Sequence, residues 1–146
     1  MKYAANTTVS IDESQQEIQQ LLRKYGAGAF AIDWNNNAIM FELNKHTVRL
    51  QVKYPNKEDF RKTEKGILRK PEAINEQYER AKMQSWRVLV LMVKANLEAI
   101  ESGILTADQV FLPYYVLANG KSVAEQILPQ LHNNELPLLS ANSIKK

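Results

Sequence analysis

At 146 residues the chain has the length of one ordinary domain, and its 45% apolar and 24% charged residues exclude a disordered or fibrous polymer. The absence of cysteine excludes disulfides, thiolate metal sites and cysteine nucleophiles, and fits a reducing compartment. A net charge of +3 conceals an asymmetry: nine cationic residues against three acidic ones between Lys45 and Lys70 put that window at +6 and the rest at −3, which points to an anionic partner.

Met1 to Ser10 is polar and carries no apolar run of the length a secretory signal needs. Ser10-Ile11-Asp12-Glu13 then reads as a capping box. Ile11, Ile18, Leu21, Leu22 and Tyr25 follow at helical spacing, and Gly26 supplies a stop, so a helix is expected over 11–25. Three runs of alternating character come next. Phe30, Ile32 and Trp34 mark the first, Ile39, Phe41 and Leu43 the second, and Val48, Leu50, Val52 and Tyr54 the third. Asn35-Asn36-Asn37 and Asn44-Lys45-His46 are turn chemistry between them. The pattern predicts a three-stranded antiparallel meander with one buried face.

Pro55 ends the third strand, and residues 56–70 read as a long, mobile basic loop. Pro71 suits a first helical turn, and no breaker follows until Gly103, which predicts a long central helix ending at Ser102. Val88 to Val93, the longest apolar run, is expected to be enclosed on all sides. It is far shorter than the roughly 20 residues that span a bilayer, so no membrane association is expected. Thr106-Ala107-Asp108-Gln109 opens a short helix. Phe111 to Ala118 reads as a short edge strand or turn because of Pro113, and Asn119-Gly120 as a tight turn. Ser122-Val123-Ala124-Glu125 is a second capping box, opening a C-terminal helix that Pro129 limits or kinks. The expectation is a single α+β domain over 1–134 and a flexible tail over 135–146. Its first five elements follow the connectivity of a double-stranded-RNA-binding domain, which is an analogy of order alone.

Lys2-Tyr3-Ala4-Ala5-Asn6-Thr7-Thr8-Val9-Ser10, Glu17-Ile18 and Tyr25-Gly26-Ala27 resemble a family of small proteins encoded by phages and prophages. So do Asp59-Phe60-Arg61, Trp86-Arg87, Lys94-Ala95 with Leu97-Glu98-Ala99, and Phe111-Leu112 followed by Gly120-Lys121. The resemblance covers most of the chain. It implies a mobile-element origin and residence in the cytoplasm of a bacterial host, and it brings no established activity.

The candidate site is the basic segment. Arg49 and Lys53, with Gln51, are expected to form a platform on the third strand. Arg61, Lys62, Arg69 and Lys70 close over it from the loop, and Phe60 offers a stacking surface. The same composition also serves a solvated loop. Arg87 and Lys94, seven apart on the long helix, are a second candidate for anion or partner contact; Lys94 and Glu98 have the spacing of a surface ion pair. Trp34 and Trp86 read as core or rim aromatics. His46 and His132 are far apart, with no carboxylate at ligand spacing, and no phosphate loop, HExxH or GxSxG is present. No catalytic residue, metal or cofactor is therefore expected. The sequence favours a non-enzymatic accessory protein that binds DNA or RNA. The alternatives are an inhibitor of a host defence protein and a small metal-dependent enzyme. Phe111 to Leu117, with Leu136, Leu138 and Leu139, offers a surface for a homo-oligomer or, alternatively, packs internally.

Overall fold

A computed structural model describes residue 4 and residues 6–145 of the chain; Lys2, Tyr3 and Ala5 of the opening match, and Lys146 of the expected tail, lie outside them. The architecture is α+β, with the expected order of elements. Helix α1 (Ile11–Lys24) starts on the forward half of the expected capping box, the Ser10 hydroxyl accepting from the Glu13 N–H at 3.1 Å. Strands β1 (Gly28–Asp33), β2 (Ala38–Leu43) and β3 (His46–Gln51) form an antiparallel sheet in sequential order. Asp33 shapes the first turn by accepting from the N–H groups of Asn35 and Asn36, and Asn37 takes φ +51°. The second turn needs only Asn44 and Lys45, both at positive φ (52° and 66°), the geometry that matches the twist of a two-residue hairpin.

The register puts Ile39 opposite Leu50 and Phe41 opposite Val48 on the inner face. Helix α2 (Pro71–Glu101) is 31 residues long, and it packs with α1 over that face. Ile18 and Leu22 of α1 and Trp86, Val90, Val93 and Leu97 of α2 are buried against the strands. Enclosure is not complete: Val88 and Leu91 lie on the solvent side of α2, because a helix on one face of a single sheet keeps a side uncovered. The two tryptophans separate. Trp86 is buried, while Trp34 is 66% exposed at the tip of the β1–β2 turn.

Beyond α2 come α3 (Ala107–Phe111), a 3₁₀ turn at Leu112–Tyr114 and α4 (Val123–His132). Both capping boxes, at Thr106 with Gln109 and at Ser122 with Glu125, are complete. The expected strand after Phe111 reduces to single bridges, Tyr115 with Val48 and Val116 with Ser122. Pro113 sits inside the 3₁₀ turn, where its missing N–H costs no hydrogen bond. Phe111 and Tyr115 are buried in the core rather than offered to a second chain, and the Phe111 ring meets Phe41 edge-on at 5.8 Å. Pro129 lies inside α4, which continues to His132. Residues 141–145 make a 3₁₀ turn, and Leu138 and Leu139 are exposed. Among the described residues no helix is long and apolar enough to cross a membrane.

Candidate nucleic-acid interface

Residues 56–70 are folded, not an open loop. Asn56 caps a 3₁₀ turn, Lys57–Phe60, its side chain accepting from the Glu58 N–H at 3.1 Å. The chain then doubles back in a miniature hairpin. The Thr63 N–H donates to the Ile67 carbonyl (2.8 Å), the Gly66 N–H to Thr63 (2.9 Å) and the Arg69 N–H to Arg61 (2.8 Å). Lys62 and Leu68 face each other across it. Gly66 sits at φ +80°, so the loop Glu64-Lys65-Gly66 is a turn followed by a left-handed residue, the usual three-residue hairpin connection. Arg69 locks the base: its Nη1 donates to the carbonyls of Phe60 (3.0 Å) and Lys62 (3.1 Å).

A column of side chains ties this finger to α2. Ile74, Tyr78, Lys82 and Trp86 recur every fourth residue and share one stripe of the helix. The Phe60 ring lies 6.3 Å from Tyr78. The Lys82 ammonium lies 5.1 Å from the Tyr78 ring centre and 5.7 Å from that of Tyr54. The Trp86 Nε1–H donates to the Tyr54 hydroxyl at 2.7 Å. Lys82 also pairs with Glu79 at 2.8 Å, and that hydrogen bond holds its pKa above the ordinary 10.5. Between the finger and the start of α2 runs a groove of about 390 Å³ lined by Lys57, Glu58, Arg61, Pro71, Ile74 and Asn75.

The expected site residues divide into two sets. Lys53, Lys62 and Lys70 are exposed, and among the described residues none has an ion-pair partner within 4.0 Å. Arg61 is 62% exposed and only loosely paired with Glu58 at 3.4 Å. The other set is tied up in the fold. Arg49 donates to the Gly120 carbonyl (3.1 Å) and pairs with Glu125 (3.4 Å), so it anchors the start of α4 instead of forming an open platform. Arg69 is the finger's staple, and Phe60 packs on Tyr78 instead of standing free to stack. Arg87 and Lys94 both turn to Glu17 of α1, at 2.6 and 3.2 Å, so neither is an open anion site and Lys94 pairs away from Glu98.

The cationic surface therefore lies on the finger and at the foot of α2, not on the strand face. Lys57 and Lys65 belong to it, although nothing in their own sequence context sets them apart from the other lysines. The finger's apolar residues are also out in solvent, Ile67 63% and Leu68 65% exposed. Their setting, a turn sequence flanked by Lys65 and by Arg69-Lys70, was the available signal. Among the described residues no group of three or more His, Asp or Glu side chains is placed to hold a metal ion.

Comparison with family models, with curated proteins and with solved structures finds no match to this chain. The element order shared with double-stranded-RNA-binding domains therefore remains connectivity alone.

Proposed function

We propose that this protein is a non-catalytic accessory factor that binds nucleic acid through the finger over residues 56–70, and that it belongs to the phage or prophage complement its residues resemble. One observation carries the reading: the folded segment 56–70 presents Lys57, Arg61, Lys62, Lys65 and Lys70 to solvent, most of them without acidic partners among the described residues. Cations held on an ordered scaffold suit a phosphate backbone, because each phosphate neutralised releases condensed counterions and little further ordering is needed. The acidic residues early in α2 weaken this field only in part, since Glu76 and Glu79 are paired with Arg80 and Lys82 of the same helix.

The test is fluorescence anisotropy with single- and double-stranded DNA and RNA between about 50 and 200 mM salt. Wild type should bind with strong salt dependence. The variant Arg61→Ala/Lys62→Ala/Lys65→Ala/Lys70→Ala should bind more weakly, its log–log salt slope falling by up to about 0.9 for each phosphate it no longer neutralises. Arg69 is left intact so that the finger stays folded. No binding at the lower salt would end this reading.

A second reading, inhibition of a host protein, is favoured by a different surface. Trp34 stands exposed beside a polar groove lined by Asp12, Gln15, Gln16, Gln19 and Ile32, and the Gln15 Nε2 is buried without a partner. Exposed tryptophan is among the residues that anchor protein interfaces. Capture of a defined host protein that Trp34→Ala abolishes and the finger variant retains would favour it.

A further inference from the structure

We infer that the finger is a wedge for duplex DNA: Ile67 or Leu68 enters an opened base step while the neighbouring cations hold the phosphates. This rests on the nucleic-acid reading above and specifies its target. Two large aliphatic side chains at 63% and 65% exposure are left in water on the return arm of an ordered hairpin. They are not there through disorder. The Ile67 N–H donates to the Thr63 Oγ1 at 3.1 Å, its carbonyl accepts from the Thr63 N–H, and Arg69 fixes the base of the arm.

Charge complementarity and shape choose the occupant. Lys62 lies opposite Leu68 across the hairpin, Lys65 stands with Glu64 in its turn and Lys70 is at the base, so the two aliphatic side chains are flanked by three cations and one carboxylate. Adjacent residues of an extended arm face opposite sides of the ribbon, so Ile67 and Leu68 lie on opposite faces instead of making one flat apolar patch. One of the two enters an opened base step while the other lies along the groove. A lipid surface would engage only one face. Proteins that insert Ile or Leu this way unstack a base step and kink the duplex by roughly 20–90°. Pyrimidine–purine steps such as TA open most easily and are the expected sites.

The experiment measures energy transfer between dyes at the two ends of a short DNA duplex with a central TA step, alongside its anisotropy. Wild type should raise the transfer on binding. Ile67→Ser/Leu68→Ser should abolish that rise and bind about tenfold more weakly, with an unchanged salt slope because no phosphate-binding cation is removed. Both substitutions sit on exposed side chains, and a circular-dichroism melt checks that the fold is kept. Salt-dependent binding without bending, equally strong in the double variant, overturns the wedge and leaves nucleic-acid binding standing. Absence of binding to any nucleic acid overturns both. A wild type that sediments with phosphatidylserine vesicles but not with DNA, and loses this in the double variant, overturns the wedge in favour of a lipid surface.

Discussion

Glu17 shows how a single carboxylate holds two elements together. It accepts from Arg87 Nη1 at 2.6 Å and from Lys94 at 3.2 Å, tying α1 to α2. The Arg87 hydrogen bond, helped by Lys94, keeps its carboxyl below the ordinary 4.5 even though partial burial pushes the other way. A depressed pKa means that the folded state favours the ionised form. The stabilisation is therefore complete above the ordinary carboxylate range and is lost as pH falls through the depressed value. Glu17→Gln should cost about 1–2 kcal/mol at pH 7, the lower part of the range for charged hydrogen bonds because the pair is partly solvated. Urea unfolding across pH checks this: the gap from wild type should close on acidification, whereas a constant gap would trace the cost to side-chain shape. Sequence spacing pointed Lys94 at Glu98, four residues on. Local periodicity cannot register a partner 77 positions away, so the internal pairing of Arg87 and Lys94 was not legible.

At the scale of elements, legibility followed length. Strands β2 and β3 alternate over most of their six residues, and the 31-residue helix is bracketed by Pro71 and Gly103, so both could be read directly. The finger could not. Its arms are about three residues each, too short for a period to emerge, and its turn residues are crowded by charge. It is held by a few bonds, the two from Arg69 Nη1 and the Thr63–Ile67 pair, not by a buried core. Arg69→Ala should thus loosen the finger without unfolding the protein. Amide exchange at Thr63, Gly66 and Arg69 should accelerate about tenfold or more, while global stability moves by less than about 0.5 kcal/mol. Arg69→Lys should not restore protection, since the shorter lysine stem does not bring its ammonium to the place where Arg69 Nη1 donates to both carbonyls. Unchanged exchange in Arg69→Ala would mean that the backbone bonds alone hold the hairpin.

Over the whole molecule, the question is whether the segment after α2 belongs to the same cooperative unit. Its anchors are spread across the sheet. Phe111 is buried against Phe41, Tyr115 bridges Val48 at the sheet edge, and Arg49 of β3 reaches Gly120 and Glu125. The Tyr115 hydroxyl donates to Asp108, and burial together with that bond raises its pKa to about 12. The aromatic run from Phe111 was legible as apolar, but it read as an edge strand and an intersubunit surface, whereas Phe111 and Tyr115 are buried in the core. Aromatic residues favour strands, and only the neighbouring core decides that one bridging residue suffices. With these contacts the segment completes the core, and unfolding should be a single transition. Phe111→Ala should then lower stability by about 3–5 kcal/mol, the cost of truncating a fully buried phenylalanine. In a Trp34→Phe background, Trp86 alone reports on the interior, about the middle of α2 and remote in sequence from Phe111. Its fluorescence midpoint in urea and that of the far-ultraviolet circular dichroism should move together. If Trp86 kept its wild-type midpoint while part of the helical signal melted early, α3 and α4 would be a separately folding appendage, and the Arg49 anchor would be a docking contact instead of part of the core.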